Sequence, residues 1–422
     1  MTIHEKNSDN AAENSCENKR LNLVMVDSHG SVERGGAVQC ASLARALARR
    51  GHRVICIFDG EPDQPMHGVW FQSLRNAGVR MRRLGLRSLA GMLQLRRLMA
   101  EERPDVLHTH KNRALFCAYF ATLGMRRPVW VANRGTVYPL SQNPLAYFIH
   151  RRHVARIFAV AHAVRDALVA DGIAGEKVEV VYGSFDPDRF RPGVSGTWMR
   201  RAWKLPEGIP VVGLIGSLNT PKKGQPVLLE AAVLLKNRYP ELRFVLVGEG
   251  DSGALQTMAS SLGVSDRVVF AGFTEDVPAA LAAIDVVVCA SLRGEGLTGA
   301  LREALAMARP VISSDVAGNR ELVINNGTGL LVPPGDPAAL ADAIDRMLRD
   351  DELARSCAAT GRELVLELCT EEKRAARVEE IYLELLSASS AKNCFCLKHT
   401  CTEKDSRNAH AIFSPPRLQK RG

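Results

Sequence analysis

The sequence predicts an α/β protein of two doubly wound domains, each a mostly parallel sheet covered by helices on both faces. Three features predict it. Apolar runs of strand length alternate with helical patterns, the alternation lapses once near the middle, and a second series then begins. Such alternation makes successive strands parallel, with the helices as crossovers between them.

Residues 21–26, LNLVMV, form the first run, which leads to the Gly35-Gly36 pair and the helical pattern AVQCASLARALARRG. Gly51 is placed to cap that helix, and RVICIF at 53–58 supplies the next strand, so the opening unit is strand, glycine loop, helix, strand. Further strands are expected at 79–82, 105–108, 129–132, 157–160 and 178–181. Between residues 184 and 208 the pattern weakens, and Pro187, Pro192, Gly193, Gly196, Pro206 and Gly208 mark a boundary between domains. The second series comprises VVGLIG at 211–216, RFVLVG at 243–248, VVFAGF at 268–273, DVVVCAS at 285–291 and PVIS at 310–313. The expected division is a disordered tail at 1–20, a first domain at 21–187, a second at 188–370, a helix at 371–387 packing back toward the first domain, and a mobile tail at 388–422.

A chain of 422 residues exceeds one ordinary core at roughly 150 residues per domain. With 55 basic and 46 acidic residues the net charge is +9, which favours phosphate-bearing ligands or an anionic membrane surface. Aromatics make up only 5%, and no basic stretch carries interleaved aromatic residues, which argues against nucleic acid. The ten cysteines are too sparse for a disulfide framework, and Cys56 and Cys289 sit in apolar strand runs, as reduced core thiols do. The polar amino terminus has no apolar stretch of a signal peptide, and no run of about 18 apolar residues occurs, so a cytoplasmic location is expected. The stretch 82–103 combines helically spaced leucines with arginines, the pattern of a helix lying on an anionic membrane or of an ordinary domain helix.

The strongest chemical signal is SLRGEGLTGALREAL at 291–305, in which seven residues separate Glu295 from Glu303. A helix beginning near Thr298 puts Glu295 in the preceding loop and Glu303 in the second turn, both able to face one ligand. Gly296, Leu297 and Thr298 would then present N–H groups to an anion such as a diphosphate. A carboxylate can hold two vicinal hydroxyls of a sugar without a metal. Lys223, beside Lys222 in the turn TPKKGQ, follows a strand and precedes a helix, where a cation meets phosphate. Gly35 and Gly36 open space for phosphate or sugar at the other domain.

These residues resemble the family 4 retaining glycosyltransferases of the two-domain GT-B architecture, in which two Rossmann-like domains face each other across a cleft. The resemblance rests on GGAVQ at 35–39, PDVLHTH at 104–110, VVYGSFDPDRF at 180–190, GSLNTPKKG at 216–224, LVGEG at 246–250, VVFAGF at 268–273, and the blocks 295–322 and 329–344. It implies a ribose-binding role for Glu303, a donor-sugar role for Glu295 and diphosphate binding by Lys223. It places Glu249 near the nucleotide, His110 near the reacting centre, and Glu321 at a recurrent acidic position. Two departures stand out: Ser217 replaces the usual arginine six residues before Lys223, and Gly183 replaces a frequent asparagine. Lys222, or Arg134 from the first domain, is a candidate for the missing charge.

The resemblance implies retention of configuration, no metal, a nucleotide-diphosphate sugar (UDP-sugar by preference) as donor, and no cofactor beyond it. The acceptor is expected to be a saccharide or glycolipid, such as a lipopolysaccharide or other envelope glycan precursor, met at the inner face of the membrane. A nucleotide-sugar epimerase of the same architecture and an inactive sugar-nucleotide-binding protein are the rivals. A dinucleotide oxidoreductase fits poorly, because GSVERGG and GSLNTPKKG stand where GxGxxG would be needed. Cys394, Cys396, His399 and Cys401 can be drawn as a zinc site, but one residue between the first two cysteines is shorter than zinc motifs use.

Overall fold

The computed structural model describes residues 19–32, 35–219 and 221–409, without the side chains of Pro221 and of 391–409. Most of the tail expected at 1–20, the end of the chain from 410, and the side chains of the drawn zinc site lie outside the described residues.

The first domain carries a seven-stranded parallel sheet. Its strands are β1 (Asn22–Asp27), β2 (Arg53–Asp59), β3 (Arg80–Leu84), β4 (Val106–His110), β5 (Val129–Arg134), β6 (Arg156–Ala159) and β7 (Val178–Val180), in the order β3-β2-β1-β4-β5-β6-β7. The helices between them are α1 (Gly35–Arg49), α2 (Val69–Asn76), α3 (Leu89–Glu102), α4 (Lys111–Ala121), α5 (Pro144–Arg152) and α6 (His162–Ala170). Strands β1, β2 and β4 are buried almost throughout because helices cover both faces, which is why they read as unbroken apolar runs.

The second domain begins with α7 (Thr197–Ala202). Its strands β8 (Val211–Ile215), β9 (Arg243–Val247), β10 (Val268–Gly272), β11 (Val286–Cys289), β12 (Val311–Ser314) and β13 (Leu330–Val332) form a six-stranded sheet in the order β10-β9-β8-β11-β12-β13. Helices α8 (Gln225–Leu235), α9 (Gly253–Ser261), α10 (Val277–Ala282), α11 (Gly299–Ala306) and α12 (Pro337–Arg349) connect or follow these strands. The sequence reading missed β13, whose three residues are too few to show a period. In both sheets the order reverses once, between β1 and β4 and between β8 and β11, and crevices at such switch points are where doubly wound folds bind ligands.

Helices α13 (Asp351–Leu368) and α14 (Glu371–Ala409) close the chain. Between them, Thr370 bridges to Phe185 of the interdomain segment, so the chain crosses between domains twice at one point. Ala375, Val378, Ile381 and Tyr382 of α14 form a stripe buried against α1, and the Tyr382 hydroxyl lies 2.7 Å from His108 Nδ1. At the crossing, Arg45 of α1 reaches Glu371 at 2.6 Å and Asp186 at 2.9 Å. The helix does not end at 387 as the composition change suggests: it runs on to Ala409, and residues 388–409 contain neither glycine nor proline to stop it. Among the described residues no helix is long and apolar enough to cross a membrane.

Candidate active site

A cavity of about 780 Å3 lies where the two switch points face each other. The first domain contributes Ser31, Gly35 and Gln39 from the loop after β1 and the start of α1, with Trp70 and Phe71 of α2. The second contributes Gly216 and Ser217 after β8, Lys223, Glu249 after β9, Thr274 and Glu275 after β10, and Thr298, Gly299, Ala300, Arg302 and Glu303 from the start of α11. Every one of the second-domain segments begins at the carboxyl end of a strand.

Helix α11 starts where the sequence placed it, with Thr298 as its amino-terminal cap residue. Asn319 holds this start: its Oδ1 accepts from the Thr298 N–H at 3.1 Å, and its Nδ2 donates to Ser313 Oγ at 3.0 Å. One of the three backbone groups expected to face an anion is therefore already engaged. The Thr298 N–H is occupied, and Gly296 is wedged against the first domain, where a Cβ would stand 2.6 Å from the Gly135 carbonyl oxygen and 2.8 Å from Val160 and Val164 side chains. Leu297 packs into the cores of both domains. It is Gly299 and Ala300, with no side chain beyond a methyl, that bring the positive end of α11 to the cavity wall.

Glu303 is recessed in that wall, and no hydrogen bond or ion pair ties its carboxylate to the described residues. Burial pushes its pKa up, and Arg302 and Arg189 offset this only in part. Glu295 behaves differently. Its carboxylate pairs with Lys223 Nζ at 3.0 Å, just behind the cavity surface that Lys223 lines. Ser217 lines the cavity and uses its carbonyl to hold Gln225 at 2.8 Å. Lys222 is not part of the wall; its carbonyl accepts from the Leu292 N–H at 2.7 Å. Arg134 is not part of it either, since its guanidinium donates to the Tyr138 carbonyl and braces the loop after β5. Neither residue lines this cavity.

On the first domain, Gly35 borders the cavity, whereas Gly36 faces His29, whose Cε1 would stand 3.0 Å from a Cβ there. His110 lies behind this loop and is only 3% exposed. It stacks on His108 at 4.5 Å between ring centres, and burial, aided by the neighbouring His108, holds it neutral. Asp27 of β1 sits beside it. Burial alone would raise the Asp27 carboxyl, but its 2.5 Å bond to His29 Nδ1 and the adjacent imidazoles keep it lowered. Asp27, His110 and Cys40 bring possible metal-ligand atoms within 4.8 Å of one another. The Cys40 thiol is held protonated by its contact with Cys56, by burial and by Asp27, which opposes metal ligation as thiolate.

Glu321 has a structural position that its sequence context did not reveal. Its two carboxylate oxygens accept from the His162 and Ala163 N–H groups at 2.9 Å, and the Tyr182 hydroxyl donates to it at 2.8 Å. A second-domain acid thus caps α6 of the first domain. The sequence reading also overlooked Arg302, whose one signal was its phase: it follows Gly299 by three residues, the spacing of one helix face.

The profile described as "Glycosyl transferases group 1" matches residues 209–350, and that described as "Glycosyltransferase Family 4" matches residues 34–189. The chain is 33% identical over 212 residues to EpsD of Bacillus subtilis, covering 49% of this chain and 55% of that one. The chain thus spans little more than half of that relative. It is 25% identical over 365 residues to N-acetyl-alpha-D-glucosaminyl L-malate synthase of Bacillus anthracis, covering 83% of this chain and 94% of the relative. Its fold matches the crystal structure of Anabaena Alr3699/HepE in complex with UDP and glucose, with a TM-score of 0.75 at 21% identity, over 86% of this chain and 99% of the other.

Proposed function

Because the chain belongs to the family 4, group 1 glycosyltransferases and folds as a GT-B protein, we propose that it transfers a hexosyl unit from a nucleotide-diphosphate sugar to a saccharide acceptor with retention of configuration. The observation that carries this reading is the convergence of Glu303, a recessed carboxylate with no protein partner among the described residues, with Lys223 and the amino end of α11 in one interdomain cavity. A carboxylate suits vicinal ribose hydroxyls, and a cation beside helix N–H groups suits a diphosphate. Glu249 lines the same cavity, which supports its reading as a residue near the nucleotide.

In this reading the leaving diphosphate gains charge in the transition state, and groups fixed in the fold stabilise it without reorganising. Lys223 and α11 supply that stabilisation, so no metal is invoked. The acceptor enters past Gly35, and its hydroxyl attacks on the face that the nucleotide leaves, the departing phosphate taking its proton. His110 serves from behind, packed on Asp27 at the strand ends that support the acceptor side. We assign it a positioning role near the reacting centre, which its burial supports.

The test is a panel of UDP-, GDP- and ADP-sugars assayed for nucleotide release, with a UDP-sugar as the expected donor, followed by the anomeric configuration of the product. Release from none of them overturns the reading, and an inverted product overturns retention.

We place the acceptor at a membrane, as a lipopolysaccharide or other envelope glycan precursor. Support comes from the surface of the first domain, where Leu89, Leu93, Phe120, Leu123 and Phe148 on or beside α3, α4 and α5 are exposed near Arg96, Arg127 and Arg151. Exposed apolar side chains with arginines beside them suit an anionic lipid surface. Co-sedimentation with phosphatidylglycerol vesicles, lost in a Leu93→Glu, Phe120→Glu variant, is the expected outcome; equal recovery with and without vesicles removes the membrane part of the proposal.

A further inference from the structure

We propose that Arg302 supplies the positive charge missing at Ser217, reaching the donor's diphosphate through the space that Gly183 leaves open. This rests on the nucleotide-sugar reading above.

Among the described residues, four arginine or lysine side chains border the cavity: Arg83, Arg189, Lys223 and Arg302. Three have work within the protein. Arg83 donates to the Gly30 carbonyl at 2.5 Å and the Pro65 carbonyl at 3.2 Å. Arg189 donates to the Glu275 carbonyl at 2.5 Å and lies over the Phe190 ring, and Lys223 pairs with Glu295 at 3.0 Å. Arg302 is only 3% exposed, yet none of its N–H groups meets an acceptor among the described residues, and its Nε is wholly enclosed. Gln39 Oε1, which lies on the same side of Gly183, is already used: it accepts from the Ser184 N–H at 2.6 Å and from Arg374 at 3.1 Å.

A buried guanidinium with no acceptor is strongly unfavourable, so its retention beside a cavity points to an anion brought by a ligand. Buried Arg374 adds a second positive charge to the same corner: burial, and next the charge of Arg302, lower its pKa to about 10. The planar fork of arginine matches phosphate oxygens in pairs.

Gly183 makes the arrangement possible. A Cβ there would stand 2.7 Å from Arg302 Nη1 and 2.8 Å from Gln39 Oε1, so the missing side chain in the interdomain segment is the room in which the guanidinium sits. The two departures from the family pattern, at residues 183 and 217, thus become one compensated change.

The experiment is calorimetric titration of the full chain and its Arg302→Met variant with uridine, UDP and UDP-glucuronate, and with the guanosine and adenosine counterparts of the first two. The expected result is a loss of about thirtyfold in nucleoside diphosphate affinity with nucleoside affinity unchanged, the weight of one charged hydrogen-bonding group. Arg302→Lys recovers part of the loss, and Ser217→Arg added to Arg302→Met restores it. Equal affinities in wild type and variant, or equal loss for nucleoside and diphosphate, overturn the proposal. Loss confined to UDP-glucuronate also overturns it, by assigning Arg302 to a carboxylate on the sugar. A wild-type chain that binds no nucleoside diphosphate removes the donor reading itself, an outcome distinct from these. Should Arg302→Met fail to fold, Gly183→Asn leaves Arg302 in place and crowds its guanidinium; unchanged diphosphate affinity in that variant is equally fatal.

Discussion

The Lys223 ammonium and the Glu295 carboxylate lie 3.0 Å apart, and both side chains are mostly shielded from solvent. With no ligand bound, each neutralises the other. A diphosphate arriving at Lys223 competes for the ammonium with more charge than Glu295 carries, which frees the carboxylate for hydroxyls of the donor sugar. The pair links recognition of phosphate to recognition of sugar.

Lys223→Ala therefore weakens nucleoside diphosphate binding by about tenfold or more, as expected for one charge-assisted contact, while leaving nucleoside binding intact. Calorimetry with both ligands checks this. Equal loss of both assigns Lys223 to the architecture of the loop. Glu295→Gln keeps the shape of the loop, should lower kcat, and should raise free UDP affinity because the diphosphate no longer competes with a carboxylate for Lys223.

Glu303→Ala is expected to abolish turnover without unfolding the protein, because its carboxylate holds no described protein group in place. Near-normal rates would remove the ribose role. The raised pKa also sets a pH dependence: donor binding falls as the pH drops toward the carboxyl pKa, and this begins above the ordinary carboxylate range of about 4.3. Glu303→Gln should flatten that limb of the profile of kcat/KM.

Glu321→Ala removes a cap that crosses the domain boundary and leaves two first-turn N–H groups of α6 and the Tyr182 hydroxyl without their acceptor. A loss of about 1–2 kcal/mol in urea unfolding is expected. KM for donor should rise too, since Gly318, on the same segment as Glu321, accepts the position of the 295–297 loop by donating its N–H to Gly296 O at 3.0 Å. A variant with wild-type stability shows that the cap does not hold the domains together.

Three of the buried imidazoles, those of His108, His110 and His150, predict sensitivity to acid. Burial lowers the pKa of His108 to about 3 and of His150 to about 4, and that of His110 well below the usual value. Unfolded histidine titrates near 6.5, so below about that pH the unfolded chain binds more protons than the folded one. Stability is therefore complete above pH 6.5 and declines as the pH falls, each imidazole adding about 1.4 kcal/mol per pH unit to the slope until its folded pKa is reached. Urea midpoints from pH 7 to 5 check the sign, and His108→Gln should reduce proton uptake on unfolding by one.

The fold was legible in the sequence because parallel strands buried on both faces must be apolar along their whole length, and runs such as VVGLIG announce themselves without neighbours. The start of α11 was legible for a similar local reason: Thr298 and the two small residues after it mark a helix beginning, which set Glu303 one turn further on. Lys223 followed from its place after a strand.

What depended on distance along the chain was not legible. The Lys223 and Glu295 pair, the burial of His110 behind the glycine loop, the capping of α6 by Glu321 and the stranding of Arg302 beside Gly183 each join residues that only packing brings together. Local periodicity reports which face of an element is buried, and so determines the two sheets. It carries no record of which charges are left without partners once those sheets meet. That remainder, decided by tertiary structure alone, is where the anion is expected to bind.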